Sequence, residues 1–215
     1  MKSFENWTFE DVEDTFGVVR IKNHKTLTNW LEAPFDGDDF IQKRLEVLKN
    51  RLIDNVEAWN EEELKYQFLG LLMDLVEIDT NKYKAFLGRK LSAVYKNETI
   101  SGNVDFVIAT GKVEPKHPFF FIHERNAARY KQEKKKDNDP LGQLLVAMVT
   151  AQIRNNDDRP ILGSYIVGRF CFFVILDKCE YSVSLAYDAT QDDILNIFAI
   201  LRRAKAYIAE YFEGI

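Results

Sequence analysis

Val104-Asp105-Phe106-Val107-Ile108-Ala109 and, beyond the breakers Thr110-Gly111 and Glu114-Pro115, Phe119-Phe120-Phe121-Ile122-His123-Glu124 form the stretch whose reading decides the fold. Both runs are rich in β-branched and aromatic residues, which suit a pleated, packed surface, so they predict a β-hairpin with a long loop. With the strands antiparallel about a turn centred near Glu114-Pro115, Asp105 at the start of one faces Glu124 at the end of the other. Like charges so placed destabilise a sheet unless a cation lies between them. Two converging carboxylates make an oxygen-rich site suited to Mg²⁺ or Mn²⁺. A different register, with one carboxylate solvated at a sheet edge, is the alternative. Three successive phenylalanines followed by Ile122 predict a strand covered on both faces and central in its sheet.

Working outward, Asp139-Pro140 opens a helix to about residue 154 that buries Leu141, Leu144, Leu145 and Met148 and carries Gln143. Upstream, residues 86–95 have strand character, with Lys90 and Ser92 on one face. Asn60 followed by Glu61-Glu62-Glu63 is a capped, acidic helix start. That helix runs to about residue 78, with Leu64, Phe68, Leu71, Leu72 and Leu75 as its apolar stripe and Glu63, Gln67, Gly70 and Asp74 on another face. Phe40, Ile41, Leu45, Leu48, Leu52, Ile53 and Val56 mark a helix starting at Asp38. Residues 1–37 carry two short helices, 11–16 and 26–31, with aromatic anchors. After the Gln143 helix come strands over 163–170, 171–176 and 181–186, separated by Gly168 and Asp177-Lys178. Thr190-Gln191-Asp192-Asp193 reads as a capping box opening a last helix, with Arg202, Arg203 and Lys205 toward solvent.

In order and spacing these residues resemble the PD-(D/E)XK nuclease superfamily, whose core is a helix, three antiparallel strands, a helix and a further strand. Asp105 matches the Asp that begins the family's second core strand, and Glu124 in Phe121-Ile122-His123-Glu124-Arg125-Asn126 matches the Glu of Glu-x-Lys. Glu63 matches the Glu that assists the metal from the first core helix, and Gln143 the Gln of the following helix in the RecB-like branch. The resemblance implies an α/β (α+β) fold with a restriction-endonuclease-like core, a central mixed sheet flanked by helices. It implies Mg²⁺ or Mn²⁺ held by Asp105, Glu124 and Glu63, and hydrolysis of DNA phosphodiesters. The family's Lys position holds Asn126, which carries no positive charge; Lys90, Arg129 and Lys131 are candidates to supply one. We expect residues 1–59 to be an N-terminal helical extension and residues 60–215 the core with its C-terminal helix, in one compact domain.

The chain has 215 residues, 46% of them hydrophobic, and a net charge of -5, which argues against indiscriminate coating of nucleic acid. Between Glu124 and Lys136, however, six basic residues stand against two acidic ones. A solvated loop accounts for such a run. Its place directly after Glu124 also suits phosphate contact, with Arg125, Arg129, Lys131 and Gln143 as the nucleic-acid-binding candidates. No apolar run approaches membrane-spanning length and no apolar leader follows Met1, so we expect no membrane partner and a cytoplasmic location. Cys171 and Cys179 lack nearby histidines and read as buried free thiols. Three functions follow: a metal-dependent nuclease; a degenerate nuclease-fold protein that binds nucleic acid or a protein partner; or a helix-rich interaction protein. The oligomeric state is open, a homodimer included.

Overall fold

The computed structural model describes residues 2–126 and 139–213, with the side chains of 123–126 and 211–213 outside the description. The fold is α+β. After a single 3-10 turn, Phe4–Asn6, come α1 (Phe9–Phe16), β1 (Val19–Arg20), α2 (Lys25–Leu31) and α3 (Asp39–Asn55). A helical segment follows in three pieces: α4 (Glu61–Leu64), a π-helical turn (Lys65–Leu69) and α5 (Gly70–Val76). Then come β2 (Lys84–Tyr95), β3 (Glu98–Thr110), β4 (Lys116–Asn126), α6 (Pro140–Asn155), β5 (Ile161–Val167), β6 (Phe170–Asp177), β7 (Glu180–Val183), β8 (Tyr187–Asp188) and α7 (Asp193–Glu213).

The strands form one eight-stranded mixed sheet in the order β1-β7-β6-β5-β4-β3-β2, with β8 on β6. β2, β3 and β4 are successively antiparallel, α6 crosses over, and β5 returns parallel to β4. The rungs Phe106–His123, Val107–Ile122 and Ile108–Phe121 are symmetric about the Glu114-Pro115 turn. Between Ile108–Phe121 and Ala109–Phe119 the register shifts, leaving Phe120 as the extra residue of a bulge. Phe120 and Phe121 therefore both enter one core layer, while Phe119 and Ile122 enter the other.

The first layer is built by α2, α3, the 61–76 helical segment and α7; the second by α6 with α1 and the 3-10 turn. Residues 1–59 thus contribute to both faces of the sheet. Trp30 anchors the first layer: it is fully buried, its Nε1 donates to the Ile200 carbonyl at 2.7 Å, and its ring meets Phe121 and Phe173 edge-on. In the second layer the buried Tyr181 hydroxyl donates to Glu13 at 2.8 Å, tying α1 to β7. Burial, reinforced by that bond to a carboxylate, raises the Tyr181 pKa.

Two sequence expectations change. Thr190 does not cap α7: it donates its N–H and hydroxyl to Asp188, and Asp193 accepts from the Asp188 N–H, so the helix starts at Asp193. Asp188 is the nearer acceptor, and it draws Thr190 into the preceding turn. Of the two free cysteines, Cys171 is buried but Cys179 is exposed, because it sits on the β6–β7 turn, whose Lys178 has left-handed backbone. Among the described residues no helix is long and apolar enough to cross a membrane.

Burial drives the Cys171 thiol well above its ordinary pKa and away from reagents. A thiol-reactive chromophore is expected to titrate Cys179 alone in the folded protein and both cysteines in denaturant. Two fast thiols in the folded state would contradict the packing of β6.

Candidate functional site

Residues that alternate along a regular strand share a face every second position. In β3, however, Phe106 belongs to the first core layer and Val104 to the second. The strand changes face at Asp105. Its partner β2 does the same: the rungs Leu87–Phe106 and Arg89–Val104 flank Gly88, whose φ is +59°. A Cβ at Gly88 would meet nothing within 4 Å, so conformation, not crowding, calls for glycine there. The outcome is that Asp105 and Phe106, neighbours in sequence, both line one cleft on the first-layer side.

That cleft holds about 600 Å³ between the sheet and two helical segments. Ala85 and Leu87 of β2 form its floor with Phe106. Lys65, Gly70 and Asp74 line it from the segment containing the π-helical turn. Such turns rotate the side chains that follow by inserting a residue into the helix, and they recur at functional sites. Glu77, with left-handed backbone, ends α5, and Lys205 from α7 donates to its carbonyl at 2.7 Å. Asp79 holds the entry to β2 by accepting from the Ala85 N–H at 2.7 Å. Four acidic residues, Asp74, Glu77, Asp79 and Asp105, and two lysines, Lys65 and Lys205, are therefore among those that line the cleft.

Asp105 is half-buried at this wall. The described β3–β4 ladder ends at Phe106–His123, so Asp105 and Glu124 stand one step beyond the last rung. β4 continues alone beside β5, with Glu124 opposite Tyr165, Arg125 opposite Ile166 and Asn126 opposite Val167. The side chains of Glu124, Arg125 and Asn126 lie outside the described residues, as do Arg129, Lys131 and the rest of the basic run to Lys136. Glu63 is exposed and occupied elsewhere: its carboxylate accepts from the Asn60 N–H at 2.7 Å, closing a capping box. The acidic residue that the same helical segment brings to the cleft is Asp74. Gln143 is half-buried on α6, which packs in the opposite layer, and it does not line the cleft. The start of α6 is covered by the N-terminal segment, because Asp139 accepts from both Leu141 and Phe9 N–H groups and a Cβ at Gly142 would lie 2.4 Å from the Trp7 carbonyl. Lys90 is exposed on β2 opposite Asn103.

The oxygen-only acidic lining suits a hard cation better than zinc. Among the described residues no three His, Cys, Asp or Glu side chains come together to hold a metal. Mg²⁺ needs only one or two carboxylates with water and phosphate oxygens, a demand that Asp105 with one further carboxylate would meet.

Lys65, Asp79 and Lys205 were not legible as site residues. The π-helical turn has no sequence mark, and Lys205, expected toward solvent, reaches the cleft from a helix distant in the chain.

Gly88→Ala places a Cβ in left-handed backbone and is expected to cost about 1–2 kcal/mol of stability, with Gly88→Asn milder. Urea unfolding midpoints measure it, and an unchanged midpoint for the alanine variant would contradict the face switch.

Set beside known proteins, the sequence matches no family model, and no curated protein is significantly similar to it.

Proposed function

We propose that this protein is a metal-dependent nuclease of the PD-(D/E)XK type, acting on DNA phosphodiesters at the Asp105 cleft. The observation that carries the reading is the order and pairing of elements around Asp105. A helical segment, three antiparallel strands, a helix and a strand parallel to the third follow one another. Within that order, Asp105 lines the cleft at the point where two strands change face.

In this reading Asp105 and Glu124 hold Mg²⁺ or Mn²⁺, with Asp74 as the further carboxylate of the cleft. When bound, the ion lowers the pKa of the attacking water and offsets charge on the phosphate. Asp105 does not start its strand, since β3 begins at Glu98. The protein's own part is to bring Asp105 and Glu124 one step beyond the last β3–β4 rung, to keep one wall of the cleft apolar through Leu87 and Phe106, and to present Lys65 to the phosphate oxygens. Glu63, as a capping residue, serves the helix that carries Lys65 and Asp74 and does not touch the substrate.

Asn126 favours a second reading, a nuclease fold that binds nucleic acid or a protein partner without cleaving. An amide at that position cannot supply the positive charge that orients and polarises a water molecule.

Incubation of the purified protein with supercoiled plasmid and Mg²⁺ or Mn²⁺ decides between them. The nuclease reading expects nicking or linearisation, abolished by chelator and lowered at least about a hundredfold by Asp105→Ala. An inactive wild type that still binds DNA would establish the second reading. Activity unchanged in Asp105→Ala would remove this cleft from the chemistry.

A further inference from the structure

The two ends of the sheet differ in kind. β1 has two residues, whereas β2 at the other end of the described sheet has 12, about 40 Å of extended chain at ~3.3 Å per residue. Long open edges invite strand pairing, and a lysine or two along them blunts that hazard. Here cations converge on the edge from other elements as well. At its start, Lys84 donates to the Lys112 carbonyl in the β3–β4 turn, and Lys116 sits on the neighbouring rung with Thr110. Midway, Lys90 is exposed and Arg154 reaches across from α6 to the Ser92 carbonyl at 3.0 Å. At the far end Lys96 follows Tyr95 in the turn to β3.

None of these six makes an ion pair with a described carboxylate, although the chain as a whole carries -5. Glu98, the first residue of β3, and Glu114, in the β3–β4 turn, are exposed, and these two carboxylates are outnumbered by the six cations. Three of the cations rest on aromatic faces: Lys84 on Phe86, Lys96 on Tyr95 and Arg154 on Phe119, at 5.1, 5.1 and 5.6 Å. Stems held in this way lose less conformational entropy when their heads meet an anion. The row is about as long as one turn of B-form duplex, ~34 Å. Ala85 and Leu87 of the same strand also line the Asp105 cleft.

We infer that the β2 edge is the track on which duplex DNA is held by its phosphate backbone and led to the Asp105 cleft. The inference deepens the nuclease reading and rests on it for the direction of the track. The recognition is by charge: lysine and arginine displace condensed counterions, and no base is read.

The test is fluorescence anisotropy with a labelled duplex of about 20 bp, without divalent metal, across about 50–200 mM salt. Removing three phosphate contacts in Lys84→Ala/Lys112→Ala/Lys116→Ala is expected to weaken binding by about tenfold or more and to flatten the log K against log salt slope by about 2–3. Lys90→Ala flattens it by about 1. Lys43→Ala/Arg44→Ala on α3 leaves it unchanged, and matched thermal melts exclude misfolding. Wild-type protein that fails to bind duplex, or edge variants that bind with wild-type affinity and slope, would overturn the track. Asp105→Ala separates the two claims: if it and the wild type bind alike along the edge but neither cleaves with Mg²⁺ or Mn²⁺, the nuclease reading falls and the track stands. Cleavage by a wild type whose binding ignores the edge variants does the reverse.

Discussion

Phe119, Phe120, Phe121 and Ile122 are each at most 8% exposed, and the two core layers meet across them. Burying a large apolar side chain contributes about 1.5–3 kcal/mol, so this one tetrapeptide supplies a substantial part of the drive to close both layers. Strict alternation would send Phe120 and Ile122 to one side and Phe119 and Phe121 to the other. The bulge instead sends Phe120 and Phe121 together into the first layer, where Tyr83 and Trp30 meet them edge-on. The cost of an unpaired strand residue is offset by denser aromatic packing on the side that also carries the cleft.

The cleft depends on a second break in alternation. At Gly88 and Asp105 two neighbouring strands change face together, so a polar side chain and Phe106 emerge on the same side. In an unbroken strand Asp105 and Phe106 would point oppositely, and the carboxylate would face the layer of α6. Glycine is needed because the turn of the backbone is left-handed, which costs other residues about 1–2 kcal/mol. The π-helical turn over Lys65–Leu69 does the corresponding work on the helical wall, bringing Lys65, Gly70 and Asp74 to one cleft. Both walls are therefore shaped by local departures from regular geometry.

Those departures also mark what could be read from the sequence. Where a local hydrogen bond fixes an element, the residues announce it: Asn60 with Glu63, Asp38, and Asp139 before Pro140 each cap the helix expected of them. The mixed sheet flanked by helices and the centre of the β3–β4 hairpin were legible for the same reason, since β-branched runs and turn residues act locally. Thr190 misled because Asp188, two residues earlier, outcompetes the helix for its hydroxyl. A regular helical period puts Leu71 and Leu75 in the apolar stripe of the 61–76 segment; the π-helical turn shifts burial to Leu69 and Val76. Glu63 looked like a site residue because acidic first turns serve both capping and chemistry, and its short bond to Asn60 commits it to capping. Of the six edge cations only Lys90 stands out in the sequence, because they come from β2, β4, two turns and α6 and form no run.

That scattering explains how a chain of net charge -5 presents a basic edge. Exposed charges at about 0.1 M salt are felt over a Debye length of about 10 Å. An approaching polyanion therefore responds to the nearest cations and hardly at all to the acidic remainder of the surface. The acidic stretch Glu10, Asp11, Glu13 and Asp14 on α1 illustrates the other half of the argument: Asp11 is paired with Lys2 and the Thr8 N–H, and Glu13 is bonded by Tyr181. Asp11 is neutralised by Lys2 where it helps hold α1 in place, while the six cations along β2 have no ion pair with a described carboxylate. A uniform -5 would repel DNA from every side, whereas the track proposed above follows an edge beside the Asp105 cleft where, among the described residues, cations outnumber carboxylates.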